Sequence, residues 1–513
     1  MKKMSESGNK NAGKSVKTIA VMMGATVIAK VLGMLRGILQ AGAYGTTPEA
    51  NAFTAASKLP LTFFDLLLAA AVLGCFIPAY NSFPDKKRAD DFSATFLTFI
   101  ISACGLLAVL GMIFAKPLLM LIAPNLDAET LGLAVTLTRI MFPLVIFTGS
   151  AYTLVGILQS RGSFIAPAMI SAISNAGVVI YLAFFDRALG GKSIYGLAVA
   201  YTLSWLVQLC TLIIPLRRTG YRLRLGTGFR DPALRKALMT APPIMIGSWL
   251  VPAGTLLGQF FAARVGIEGA TTDFDYANNI YIIIAGTLTY SVCNYTFPKI
   301  SRLMAEGDTK EFGDMVKSGL RLAELLIIPI MSAAFILAGE GVSILYLRGK
   351  FTPVDAANTT AAILPILAAM PFFGMTELFS RVWYARGNVK LPMLASLIGI
   401  ACNAAVGAAL VFGGVFGITA VGIANAAGQI ASALVLVIPA RRIPGVIDRR
   451  FASDALKLIV GGVIVFVVCY VMKTLIGSSP YDSSFITNVV KAVAIFAPAV
   501  VVYLIYSKIV RLI

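Results

Sequence analysis

Apolar and polar positions alternate along this chain in long blocks, not in the two-residue period of a half-buried strand. Mostly apolar runs occupy 18–44, 52–82, 91–114, 131–159, 163–186, 193–216, 234–263, 273–298, 314–338, 357–384, 390–412, 415–440, 453–474 and 485–508. Polar, glycine or proline residues separate them. About 20 apolar residues in a helix cross a bilayer core, so the pattern predicts about fourteen transmembrane helices. The second, seventh and tenth runs exceed what a straight crossing needs, which predicts tilt or bending there. Pro60, Pro242, Pro243, Pro252, Pro365 and Pro371 fall inside runs. Each removes a backbone donor and favours a kink.

The polar blocks carry an asymmetry. Lys86, Lys87 and Arg88 follow the second run, and Lys299, Arg302 and Lys310 follow the eighth. Arg441, Arg442, Arg449 and Arg450 follow the twelfth, and the longest basic block, "RRTGYRLRLGTGFRDPALRK" (217–236), follows the sixth. The intervening blocks hold few cations. Cytoplasmic loops collect Lys and Arg, so both termini are expected in the cytoplasm, with 1–17 as a cytoplasmic tail. The basic block divides the chain into an N-lobe at 18–216, a linker at 217–233, a C-lobe at 234–442 and a final pair of helices at 443–513. A 6+6+2 division suggests two six-helix lobes around a central cavity, as in many transporters.

Composition strengthens this picture. The chain of 513 residues is 58% hydrophobic and 13% charged, against about 45–50% and about 25% for soluble domains. The expected fold is an all-α polytopic membrane protein with no large soluble domain. A net charge of +19 would point to nucleic acid in a soluble protein; here it sits in short loops, and no nucleic-acid partner is expected. The six cysteines form no CxxC pair and read as small buried hydrophobes. Histidine is absent, which excludes imidazole as metal ligand or proton relay. No paired carboxylates, nucleophile–base pair or metal cluster marks a loop, so an enzyme is not expected and no cofactor or metal is assigned.

Ionisable residues at membrane depth usually face a cavity or a partner. The first half holds Lys30, Arg36, Lys58, Asp65 and Arg139; the second is mostly neutral and polar, with Gln259, Asp275, Asn278, Asn279, Asn294, Asn403, Asn425 and Gln429. Lys58, Arg139 and Arg381 have an alternative as snorkelling residues near span ends, and Asn and Gln often only join helices. Glu377 and Arg381 are four apart and can pair along one helix face. Lys30 and Arg36 lie deep in the first run, about 120° apart around a helix, where both can line one broad cavity. Gly33 and Gly37 between and beside them allow close helix approach. Several cations with few acids suit an anionic substrate, phosphate above all.

The stretch "AKVLGMLRGILQAGAYGTTPEANAFTAASKLP" (29–60) followed by "CFIPAY" (75–80) resembles the opening signature of the MurJ (MviN) family. "FPKISRLMAEGD" (297–308), "YLRGKFTPVDA" (346–356) and "SRVWYARGNVKLPM" (380–393) resemble later segments of that family, in consistent order and spacing. The family belongs to the multidrug/oligosaccharidyl-lipid/polysaccharide exporter superfamily. The resemblance implies a flippase in the bacterial cytoplasmic membrane, moving lipid II, the undecaprenyl-pyrophosphate-linked peptidoglycan precursor, to the outer leaflet by alternating access. It further implies that the last two helices form a groove for the lipid tail. The expected partners are lipid II or a related polyprenyl-pyrophosphate glycolipid and membrane lipids, with cell-wall synthesis proteins as further candidates.

The carry-over of residues is partial. The family's basic positions match Lys30 and Arg36, and its KLP matches Lys58, Leu59 and Pro60. The acid before the second run appears as Asn51, the arginine beyond KLP falls on Phe64 beside Asp65, and the next Glu-Gly pair falls on Ala69-Ala70. The Asp-Arg pair of the eighth run falls on Asn278-Asn279. The substrate-binding set expected from the resemblance is therefore Lys30, Arg36, Asn51, Lys58, Asp65, Asn278 and Asn279. A sodium site of the kind some members carry is not expected: Asn403 matches its asparagine, but glycine near 258 and 407 replaces the acids. The missing cavity charges keep a second reading open, a flippase for another undecaprenyl-linked oligosaccharide. A drug exporter of the same superfamily should show acids where this chain shows cations.

Overall fold

The computed structural model describes residues 24–25, 27–69, 75–477, 480–481 and 484–512. The expected tail at 1–17 lies outside them. Among the described residues, helix is the only extended regular structure. The helices of the first half are α1 (Val27–Tyr44), α2 (Pro48–Phe64), α3 (Ile77–Asn81), α4 (Lys86–Ile113), α5 (Ala115–Ile122), α6 (Ala128–Met141), α7 (Leu144–Ser160), α8 (Ile165–Ile180), α9 (Asp186–Leu189) and α10 (Ser193–Arg218). Then follow α11 (Pro232–Gly247), α12 (Leu250–Ala262), α13 (Ala270–Tyr281), α14 (Thr287–Glu306), α15 (Thr309–Ile336) and α16 (Ala338–Tyr346). The last six are α17 (Pro353–Ala368), α18 (Met370–Ala385), α19 (Lys390–Phe412), α20 (Thr419–Ala440), α21 (Arg449–Ile476) and α22 (Phe485–Ile509).

By length and hydropathy, 11 helices can cross a membrane, or 13 when each of two bent pairs is taken as one crossing. These 13 fall on all the apolar runs except the second. That run is helical as α2, continues through a π-helical turn at Asp65–Ala69, and resumes in α3 beyond residues 70–74, which are not described. The bends expected in the long runs are present. The tenth run breaks into α17 and α18, which meet at 47°, with Pro371 in the first turn of α18, where a missing N–H costs nothing. The seventh breaks at Ser248 and Trp249 into α11 and α12.

The chain forms two compact units: unit 1 comprises residues 1–43, 55–120 and 127–245, and unit 2 comprises 44–54, 121–126 and 246–513. Unit 1 is built on α4, α7, α8 and α10. Phe76, Phe92 and Phe96 are buried together, with the Phe76 and Phe96 ring centroids 4.9 Å apart. A ring needs a small neighbour here: a Cβ on Gly111 would lie 2.1 Å from Phe142, and one on Gly156 would lie 2.7 Å from Phe76.

Unit 2 uses small residues to bring backbones together, the usual solution where lipid is as apolar as the side chains. In α19 and α20, Gly399 and Gly428 face each other. A Cβ on either would lie 2.8 or 2.7 Å from the other's carbonyl oxygen. The final pair, α21 and α22, packs on α15 through Val465, Cys469, Ile495, Ala499 and Tyr503 around Ala333. Lys473 of α21 reinforces the contact with a 2.9 Å ion pair to buried Glu340 of α16.

Candidate functional site

Unit 1 holds the cations of the expected set, Lys30, Arg36 and Lys58. Arg36 lies in the middle of α1 and is half-buried. Its Nη1 donates to Oδ1 of Asn175 in α8 at 2.9 Å. Its guanidinium carbon stands 5.3 Å from the ring centroid of Tyr201 in α10, and that ring stacks on Trp205 at 4.7 Å. The Asn175 amide is itself oriented, because its Nδ2 donates to the Ala29 carbonyl at 3.4 Å. Gly33 makes room for it: a Cβ there would come within 3.3 Å of Nδ2. The close approach that Gly33 permits is therefore between α1 and α8, with an amide in the gap.

This geometry fixes a charge without cancelling it. An amide oxygen takes one of the five guanidinium donors, and a tyrosine face attracts the cation at modest strength. Among the described residues no carboxylate forms an ion pair with Arg36 or Lys30. Lys30 and Lys58 are half-buried, and Asp65 is exposed on the π-helical turn. Arg139 is bound differently, with its Nε donating to the Met112 carbonyl at the end of α4 at 3.2 Å. Asn175 and Tyr201 were not singled out in the sequence. A lone asparagine in an apolar run was the available signal, and it did not name its partner.

Unit 2 holds the asparagines of the expected set, among threonines and carboxylates. α13 has the sequence "ATTDFDYANNIY" and is buried almost throughout. Asn51 of α2 accepts at Oδ1 from Thr271 at 3.0 Å and from Thr272 at 2.6 Å. Its Nδ2 donates to the Thr46 carbonyl at 3.4 Å. Thr46 donates to Asp355 at 2.7 Å, and Thr359 donates to buried Asp273 at 2.9 Å. Asn279 donates to Asp275 at 3.1 Å, beside buried Asn278. In α18, Arg381 pairs with Glu377 at 2.7 Å, as their spacing predicts. Thus Lys30, Arg36, Lys58 and Asp65 belong to unit 1, while Asn51, Asn278 and Asn279 belong to unit 2.

The positions near an expected sodium ligand are filled. A Cβ on Gly258 would lie 2.1 Å from the Phe274 ring, and one on Gly407 would lie 2.2 Å from Phe261. A side chain at either position would have to displace a ring, so among the described residues glycine and packed rings stand where that pattern has its acids.

Unit 2 also contains a groove of about 430 Å³ along α15, α18 and α21. Phe372, Met375, Leu458 and Phe466 give it apolar walls, and Lys317, Arg321 and Asp454 stand among its lining residues. Glu324 of α15 also lines it. Glu324 is 3% exposed, and among the described residues neither carboxyl oxygen has a hydrogen-bond partner.

The family model described as "Lipid II flippase MurJ" matches residues 40–504. The chain belongs to the MurJ family. Among MurJ relatives, a probable lipid II flippase of Rhizobium tropici is 30% identical over 410 residues, covering 76% of this chain and 74% of its own. One from Rickettsia prowazekii is 28% identical, covering 74% and 75%. A solved lipid II flippase MurJ in an inward closed conformation superposes with a TM-score of 0.78 at 21% identity, over 96% of this chain and 98% of that one. An inward-facing multidrug resistance MATE transporter of the MOP superfamily gives 0.67 at 15% identity, over 85% and 98%. These likenesses give the fold. Against the MurJ pattern, the position of an expected arginine is Phe64, fully buried and 5.6 Å from the Tyr152 ring. That substitution turns a charged position into unit 1 core.

Proposed function

We propose that this chain flips lipid II from the inner to the outer leaflet of a bacterial cytoplasmic membrane by alternating access, with both termini in the cytoplasm. It is a transporter and not a catalyst. Its MurJ membership supports the substrate, and the observation that carries the mechanism is Arg36. Its guanidinium is held by the neutral Asn175 amide and Tyr201 ring, so its charge remains available to a pyrophosphate. Lys30 and Lys58 join it in recognising the anion. Asp65, Asn278 and Asn279 contribute polar contacts to the headgroup. Asn51 supports them by fixing α2 on α13. The groove along α15, α18 and α21 takes the polyprenyl tail, because its walls are apolar and α21 belongs to the expected tail-binding pair.

The experiment is complementation. Cells depleted of their own flippase express this chain, and lipid II exposure on the outer leaflet is followed. Rescue that Arg36→Gln removes, with membrane insertion intact, supports the reading. A second reading, transport of another undecaprenyl-linked oligosaccharide, is favoured by Phe64 and Asn279 where the family pattern has arginine. Failure of the properly inserted chain to rescue would select it.

A further inference from the structure

The segment between α10 and α11 is strapped to unit 1. Buried Tyr221 shares a 2.8 Å hydrogen bond with Ser93 of α4. Arg161 donates to the Thr219 carbonyl at 3.0 Å, and Arg224 pairs with Asp91. The Gly226 N–H reaches both the Ala94 carbonyl at 3.2 Å and Thr98 Oγ1 at 2.9 Å. Only glycine fits at that point, because a Cβ would lie 2.6 Å from the Thr95 backbone nitrogen. At the far end Arg88 pairs with Asp231 at 2.9 Å.

These contacts leave several large apolar side chains of the strap exposed. Leu223 is 44% exposed, Leu225 67% and Phe229 50%. They alternate with exposed Arg222 and Arg230, and Arg217 and Arg218 precede them. Among the described residues none of these four arginines has an ion-pair partner. Single exposed apolar side chains are ordinary on a protein surface, whereas several close together in one short segment mark an interaction surface. The strap runs from the end of one candidate membrane crossing, Arg218, to the start of the next, Pro232. Its two ends therefore adjoin the ends of two candidate crossings.

We infer that residues 219–231 form an interfacial anchor that seats Leu223, Leu225 and Phe229 in the acyl boundary of an anionic leaflet, with the flanking arginines on lipid phosphates. The chemistry is that of an amphipathic surface segment: apolar area enters the headgroup boundary, and cations hold the anionic lipids above it. Charge complementarity and continuity with the two crossings favour lipid over a protein partner. The anchor is independent of what the chain transports.

The test places a photo-crosslinking phenylalanine analogue at Leu225 of the full chain. The protein is reconstituted in vesicles of phosphatidylglycerol with phosphatidylethanolamine, and separately in phosphatidylcholine. Mass spectrometry then identifies the adducts. Acyl-chain adducts should dominate in the anionic vesicles, falling roughly fivefold for Arg222→Gln or Arg230→Gln. Gly226→Ala should abolish them by lifting the strap. If that variant does not fold, Leu223→Ser with the analogue moved to Phe229 should lower the yield instead. Equal yields in both vesicles, no lipid adduct in either, or adducts chiefly to another polypeptide in native membranes would overturn the inference.

Discussion

In unit 1, Arg36 meets an amide oxygen and a tyrosine ring; in unit 2, Asn51 has its oxygen taken by two threonine hydroxyls and its nitrogen turned to a backbone carbonyl. Both residues sit within helical bundles and both have neutral partners, but one is a cation and the other an amide. Neutral partners orient a cation and leave its charge in place. Hydroxyl and amide partners satisfy one another and leave little to offer a ligand. The difference teaches that polarity at membrane depth does not by itself mark a binding group. What matters is whether the neighbours have already consumed it.

The comparison breaks first at Arg36. Arg36→Gln should lower transport about 10- to 100-fold, the worth of one charge-assisted contact, while thermal stability in detergent stays unchanged. Arg36→Lys should recover part of the loss, since the charge returns without the planar fork. A parallel fall in melting temperature would place Arg36 among the structural groups instead. Asn51→Ala should show the opposite pattern. It removes the acceptor of Thr271 and the shorter of two hydrogen bonds of Thr272, whose hydroxyl keeps Thr54 Oγ1 at 3.3 Å, and should destabilise the protein by about 1–3 kcal/mol, with transport per folded molecule preserved. A transport defect at full stability would return Asn51 to the substrate.

Glu324 sharpens the comparison from another side, because its carboxyl has no hydrogen-bond partner among the described residues. Glu324→Met should stabilise unit 2 by about 1–2 kcal/mol, since an unpaired buried polar group gives way to an apolar one. Melting curves of the two proteins check this, and a less stable variant would mean that the carboxyl is held by something in the membrane. The smallest effect is expected at Asp448. Its hydrogen bond from Lys317, and then that from the Phe451 backbone at the start of α21, hold its carboxyl below the usual range. A depressed pKa contributes stability above the unfolded value of about 3.9, lost as pH falls through the folded value. Asp448→Asn should therefore show a shallower loss of melting temperature on acidification.

Much of the fold was legible because lipid imposes a length on every crossing. Run length required no knowledge of partners. Pro371 announced the bend between α17 and α18 for the same local reason. The site was legible in its residue types but not in its pairings. Arg36 stood out as a cation in an apolar run, yet nothing in the sequence tied it to Asn175, which lies 139 positions away. Asn51 stood out as a polar group, but nothing in the sequence named its partners Thr271 and Thr272, ordinary residues of a distant helix. Phe64 read as a lost arginine, and only its packing on Tyr152 shows the position rebuilt as core. Gly226 looked like one more loop glycine until α4 was seen against it.

The tether of Asn51 also has a schedule. Its acceptor and donors lie among residues made at very different moments: Thr271 follows it by 220 positions, and Asp355 follows Thr46 by 309. At about 5–20 residues per second, the ribosome needs roughly 10 to 60 seconds to deliver those partners. During that interval the segment 44–54 has left the exit tunnel with its amide and hydroxyls unmatched. The nascent chain must then keep an early helix end waiting, through insertion of several later crossings, for neighbours that do not yet exist. Water at the insertion channel, or a membrane chaperone, is the natural holder of that vacancy in time, and a ribosome stalled after 44–54 has emerged and before residue 270 is made should leave it open to protease.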